Sequence, residues 1–199
     1  MRTLAMAYLP NIAFFSALYS EDNVIISGDE IFPKQTFRNR CVILNANGTQ
    51  NLIVPVEKPN GHETFTRDVR VSYAEDWVTN HLRSIESAYR RTPYYEYYIE
   101  SLQQIYHTKF ECLSDLNMQL LNFIVAKIGL SCQLVYHASN APIDRSARDL
   151  ADPKKQNGYS GKSYLQTFTE RYGFVPNLSI LDLLMNEGPN TISILSSHS

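Results

Sequence analysis

The two standard phosphate loops are missing from this chain: neither G-x-x-x-x-G-K-[ST] nor G-x-G-x-x-G occurs, which removes the P-loop and the dinucleotide fingerprint as phosphate cradles. Histidine is scarce, with 5 in all and none before His62. Nucleotidylyl transfer of the class I type places histidines just after the first strand, so that chemistry is disfavoured. No H-x-x-H, H-E-x-x-H or His-Asp spacing suggests a metal site, and neither metal nor cofactor is expected. Cysteine is limited to Cys41, Cys112 and Cys132. Three thiols cannot all pair within one chain and none stands in C-x-x-C spacing, which argues for reduced thiols in a cytoplasm. An excess of positive charge is also lacking: 18 Lys and Arg against 20 Asp and Glu give a net charge of -2. With a pI near 6.2, a broad nucleic-acid footprint is excluded and no nucleic-acid partner is expected. No apolar run approaches the roughly 20 residues of a membrane span. The opening MRTLAMAYLPNIAFFSALYSED has a superficial likeness to an export signal, but Pro10-Asn11 interrupts its apolar run and no small-x-small cleavage site follows. Internal repeats and low-complexity tracts are absent.

What is present reads as one globular domain, residues 1–199, with 44% hydrophobic and 19% charged residues. A chain of this length buries roughly 70% of the surface it exposes when unfolded. Leu4 to Tyr8 suits a short strand, Asn11 a helix cap before Ile12, Phe14, Phe15 and Leu18, and Val24-Ile25-Ile26 a buried strand. That order is the one a parallel crossover unit requires. Cys41 to Leu44 and Leu52 to Val56 flank Asn47-Gly48 as a hairpin, with Pro55 pushing the second strand to an edge. Arg67 to Tyr73 alternates as a further strand. Ser72-x-x-Glu75 then reads as a capping box for a helix through Trp77 and Tyr89. Pro93 opens a tyrosine-rich helix through Tyr106, and Ser114 opens a third that Gly129 ends. Cys132 to Tyr136 is the last strand expected, a polar loop runs from Ala138 to Lys162, and helices at 164–172 and 178–186 finish the chain. The fold class expected is α/β: a mostly parallel or mixed central sheet of about five to six strands, with helices packed around it and a helical C-terminal part.

Chemistry concentrates in Phe32-Pro33-Lys34-Gln35-Thr36-Phe37-Arg38-Asn39-Arg40-Cys41, which carries three cations and no carboxylate. In an extended chain Lys34, Arg38 and Arg40 share one side with Thr36, while Phe37, Asn39 and Cys41 face the other. Guanidinium forks bind phosphate or carboxylate bidentately, so a nucleotide diphosphate is the natural ligand, with Asn39 helping to orient it. A solvated edge strand protected by its cations is the alternative. Tyr8 and Asn11 would border the pocket, because ligands of parallel α/β sheets lie beyond the carboxyl ends of strands. Cys41 is a candidate nucleophile, though its parity points it into an apolar strand where a thiol acts as a small hydrophobe. His81 lies one turn from both Trp77 and Ile85; it is the candidate general base, or else a structural histidine bonded within the core. Tyr94, Tyr95, Tyr97 and Tyr98 cannot share one helix face, so some are exposed or line a cleft for a sugar or a partner. Asp144-Arg145 and Arg148-Asp149 bring acid and base to a loop over a site, or form a solvated charge cluster.

Taken together, several stretches resemble one family. Tyr8-Leu9-Pro10-Asn11-Ile12-Ala13-Phe14-Phe15 resembles the Y-L-P-x-x-x-Y/F-F opening of the WbqC-like family. Arg38-Asn39-Arg40 is similar to its R-N-R signature, and Leu52 to Val56 to its L-x-V-P-V strand. Trp77 with His81, Ala88-Tyr89, Pro93 to Tyr98, and Phe174 to Leu184 extend the likeness over essentially the whole chain. Two departures stand out: Cys41 replaces an aliphatic residue of many members, and a glycine-pair and tyrosine element is matched only loosely by Tyr159-Ser160-Gly161. The resemblance implies a bacterial cytoplasmic protein of O-antigen or other surface-polysaccharide biosynthesis. The activity it suggests is an acyl, aminoacyl or glycosyl transferase acting on a nucleotide-activated or amino sugar. The alternative is a non-catalytic assembly protein that docks on another enzyme of such a pathway, or on a second copy of itself, through the tyrosine-rich helix.

Overall fold

A computed structural model describes residues 2–33, 35–57, 64–137, 143, 145–155 and 161–196. The chain enters as β1 (Arg2–Ala5), turns through Leu9 at φ +40, forms α1 (Ile12–Tyr19) and returns as β2 (Asn23–Ser27). Asn11 starts α1 in the way its side chain allows, accepting the Phe14 N–H at 3.0 Å. Ile12, Phe14, Phe15 and Leu18 of α1 are buried. The hairpin follows as β3 (Arg40–Asn45) and β4 (Gly48–Ile53), paired antiparallel with Asn45 opposite Gly48. Its one left-handed residue is Gly48 at φ +103, where glycine carries no Cβ penalty.

Three long helices make the middle. α2 (Trp77–Tyr89) is capped by Asp76, which accepts the Thr79 N–H at 3.2 Å. Ser72, the cap expected from sequence, instead accepts the Ala74 N–H in a local turn. α3 (Tyr95–His107) begins two residues after Pro93, and α4 (Leu113–Ile128) ends at Gly129 with φ +71. β5 (Gln133–His137) then pairs parallel with β2, followed by α5 (Arg145–Asp149), α6 (Thr169–Tyr172), α7 (Ile180–Glu187) and α8 (Thr191–Ser196).

The architecture is mixed α/β, with helices around a parallel sheet ordered β1-β2-β5 and the separate pair β3-β4. β2 is the middle strand, and Leu4 opposite Ile26 and Val24 opposite Leu134 set the register. The single sheet of five to six strands expected from sequence is therefore corrected: among the described residues there is a three-stranded sheet and a two-stranded one. The difference lies in two places. β4 stops at Ile53, before Pro55, which has no N–H to continue a ladder. Thr66–Asp68 close a 3₁₀ turn where a strand was expected, and the described residues around it make isolated bridges, Ile31 to Phe65, Val56 to Val71 and Arg70 to Cys112. The helical C-terminal part is deeply buried: Ile180, Leu181, Leu183, Leu184 and Met185 are core residues beneath α1 and α2. Of the helix expected over 164–172, only the last turn forms; Gln166 instead holds the chain to Val175, donating to its carbonyl and accepting from its N–H, each at 2.9 Å. Among the described residues no helix is long and apolar enough to cross a membrane.

Candidate functional site

The carboxyl ends of β1 and β2 open onto the segment that holds the sequence's basic cluster. Tyr8 N–H donates to the Phe37 carbonyl at 2.8 Å, and Phe37 N–H to the Ala151 carbonyl at 2.9 Å, which fixes this segment over the end of β1. Residues 35–39 are turns and bends rather than a strand, with Gln35 at φ +62, so the two-residue alternation expected there does not apply. Lys34 lies outside the described residues, as do Asp144, Tyr159 and Ser160.

Arg38 is only 4% exposed, and its guanidinium forms an ion pair with Glu30. The other oxygen of Glu30 accepts from Arg148 Nε at 2.5 Å, so one carboxylate holds two guanidiniums in place. Arg148 is 57% exposed and forms the open side of this group. Beside it, Arg67 pairs with Asp29, and Asn117 Nδ2 donates to the Arg38 backbone carbonyl at 2.8 Å. Gly28 makes the close packing feasible, since a Cβ there would meet the Tyr136 hydroxyl at 2.6 Å. Arg38 Nε, Asp29 Oδ2 and Asn117 Oδ1 are buried without a hydrogen-bond partner among the described residues. Each is expensive to leave unmade, and such orphans gather where a ligand completes the set.

The other residues singled out from sequence are committed within the protein. Asn39 Nδ2 donates to the Val54 carbonyl at 2.9 Å, and half-buried Arg40 donates from Nε to the Thr36 carbonyl at 3.3 Å. Asn11, besides capping α1, donates to the Leu150 carbonyl at 3.3 Å. Tyr8 points away from the charged cluster into a buried chain with His81 and Tyr106. His81 Nε2 lies 3.1 Å from the Ile53 carbonyl, which only accepts, so that nitrogen carries the proton. Nδ1 is then the acceptor for the Tyr8 hydroxyl at 2.9 Å, and Tyr106 in turn donates to Tyr8. Burial pulls His81 down to about 4, the Ile53 carbonyl opposing it only in part, while burial pushes the hydroxyls of Tyr8 and Tyr106 well up. The whole chain is neutral at pH 7. Cys41 is 2% exposed, and burial pushes its thiol up to about 12, so it stands protonated. The cavity it shares with Tyr8 and Asn11 measures about 10 Å³, room for no more than one water.

The structure thus brings Arg38 together with Arg148, and His81 together with Tyr8, but not the two groups with each other through any hydrogen bond among the described residues. Sequence reasoning missed Asp29, Glu30, Arg67 and Tyr106. For the first two a signal was available: Gly28-Asp29-Glu30 directly follows a buried parallel strand, where ligand-facing residues gather. No cluster of metal-ligating side chains occurs among the described residues.

The sequence pattern of the WbqC-like protein family matches residues 6–160 and 155–194. A relative from Mycobacterium tuberculosis, the uncharacterized protein Rv1507c, is 29% identical over 213 aligned positions that cover 91% of this chain and 90% of that protein. No solved structure matches the chain.

Proposed function

Because the chain belongs to the WbqC-like protein family, we propose that it is a cytoplasmic protein of bacterial O-antigen or surface-polysaccharide biosynthesis, a transferase that modifies a nucleotide-activated or amino sugar. The observation that carries this reading is the carboxyl edge of the parallel sheet, where Arg38 and Arg148 converge on Glu30 and the buried donor Arg38 Nε awaits an acceptor. An incoming diphosphate takes Arg148 from Glu30, while Arg38 remains held by its carboxylate and by its backbone tie to Asn117. Arg40, two positions along the chain from Arg38, adds charge, and Asn39, Tyr8 and Asn11 act through the backbone they hold in place. Fixed guanidiniums at a departing phosphate stabilise the charge that develops on it, which is the main catalytic term in this proposal. His81, enclosed in the buried chain with Tyr8 and Tyr106 and bonded to the Ile53 carbonyl, holds Tyr8 in place in this proposal rather than serving as the general base. Cys41 remains a neutral packing thiol, and turnover retained in Cys41→Ser is the expected result.

Thermal melting with a panel of nucleotide sugars tests the site. A ligand present at about a hundred times its dissociation constant adds about 2.7 kcal/mol. Stabilisation reduced in an Arg148→Ala, Arg40→Ala double variant is the expected result. No response to any sugar nucleotide overturns the reading and favours the assembly protein, for which Tyr97 on the outer face of α3 is 75% exposed.

A further inference from the structure

We propose a second ligand site that reads a diphosphate, in the cleft between the C-terminal half of α2, the β3–β4 turn and Thr167-Phe168. Arg83, Glu86 and Ser87 recur at three- and four-residue spacing, which sets them on one face of α2; Arg90 continues that spacing as the C-cap, and Arg91 follows it. All three arginines line a cleft of about 680 Å³, a volume within the roughly 300–1,000 Å³ typical of small-molecule sites. Among the described residues none of the three forms an ion pair or side-chain hydrogen bond. Glu86 is the one carboxylate on the lining, and it stands three residues from Arg83 and four from Arg90 without engaging either. A guanidinium at a helix C-terminus offsets the helix dipole, which accounts for Arg90 and Arg91. It leaves Arg83 unexplained, because that residue lies well before the last turn.

The far wall is fixed. The Ala46 carbonyl in the β3–β4 turn accepts the Tyr172 hydroxyl at 2.8 Å and also Arg171, while Gln50 Nε2 ties the hairpin to Ser84 of α2 at 3.1 Å. These bonds fix the hairpin side of the cleft, where three arginines are set against the lining carboxylate Glu86, with Asp76 within electrostatic reach of Arg83. Three guanidiniums match the several oxygens of a pyrophosphate group, and the hydroxyl of Ser87 supplies a neutral donor. Half-buried Phe168 offers a flat face for the ring of a nucleoside. A nucleoside diphosphate is the ligand class this combination fits.

Calorimetric titration with inorganic pyrophosphate and with uridine diphosphate tests the site, at low salt and again at about 0.15 M, where screening weakens exposed charges. The expected result is binding by wild type and by Arg148→Ala, in which this cleft is the site that remains, and a loss of about tenfold or more at the cleft in Arg83→Ala, Arg91→Ala. Tighter binding of uridine diphosphate than of pyrophosphate places the nucleoside on Phe168; equal binding assigns recognition to the phosphates alone, and either supports the site. All three arginines are exposed, so these variants should melt as wild type does. Arg91→Glu serves as a second variant that leaves the helix itself intact, with the same loss expected. No binding of either probe to wild type, or undiminished binding in the double variant and in Arg91→Glu, overturns the proposal. So does loss of binding in Arg148→Ala alone, which would place the anion at the sheet edge instead.

Discussion

Tyr8 has a different consequence from Tyr106 in their shared hydrogen-bond chain, because it stands in the middle. Tyr8→Phe leaves His81 Nδ1 without a donor and the Tyr106 hydroxyl without an acceptor, two buried groups orphaned by one oxygen. We expect about 1–3 kcal/mol lost for each buried group left unsatisfied. Tyr106→Phe removes only the terminal donor and should lose less, so urea unfolding of the two variants separates them; equal losses would refute the assigned directions. The same logic ranks the arginines around Glu30. Arg38→Ala removes the buried one of Glu30's two guanidiniums and leaves a carboxylate 15% exposed with only the exposed Arg148, which should cost more, up to the roughly 3–5 kcal/mol of a broken buried pair. Arg148→Ala removes an exposed partner and should change stability by no more than about 1 kcal/mol. That difference is what makes Arg148 the usable probe of ligand binding and Arg38 a poor one.

Two helix ends show why a left-handed glycine is not one thing. Gly129 closes α4 at φ +71 with nothing near the position a Cβ would take, whereas Gly188 follows α7 at φ +52 with the ring of Tyr94 already there. Gly129→Ala should lose about 1–2 kcal/mol, the left-handed penalty alone. Gly188→Ala adds about 1–3 kcal/mol of overpacking, and a melting temperature for Gly188→Ala no lower than for Gly129→Ala would refute the Tyr94 contact. Elements with local causes were legible in the sequence. The Asn11 cap, the strand–helix–strand opening, the Asn-Gly hairpin and the Gly129 stop each depend on residues within a few positions, and each forms, although β1 runs over Arg2–Ala5 rather than Leu4 to Tyr8 and β4 over Gly48–Ile53 rather than Leu52 to Val56. What failed depends on distant partners. Arg67 to Tyr73 alternates like a strand, yet Arg67 turns to Asp29 and the backbone at Val69 accepts from Leu113, so no neighbouring strand is available. The candidate site was half legible for the same reason. Three cations close together in sequence were visible, but the carboxylate that organises Arg38 comes from the end of β2, and its second cation from Arg148, 118 positions away.

Two buried ionisable groups set opposite pH slopes for the whole molecule, one on each side of neutrality in charge. His81 is held at about 4 against an ordinary 6.5, so the unfolded chain binds its proton first; its contribution is whole above pH 6.5 and is lost as pH falls towards 4. Asp182 runs the other way. Burial raises it from 3.8 to about 6, although Tyr164 and Gln166 donate to it at 2.6 and 3.1 Å, so the native state binds its proton first. Its contribution is whole below pH 3.8 and is lost as pH rises through 6. Between about pH 4 and 6 the two slopes cancel in the wild-type protein, each amounting to about 1.4 kcal/mol per pH unit where it is fully developed. Neutralising one unmasks the other. Asp182→Asn should therefore become less stable, relative to wild type, with each step of acidification across that window, and His81→Gln should become relatively more stable. The remaining carboxylates are common to all three proteins and drop out of the difference. Urea unfolding at closely spaced pH values measures it, and parallel stability curves for the three would show that neither group is buried in the ionisation state assigned to it here.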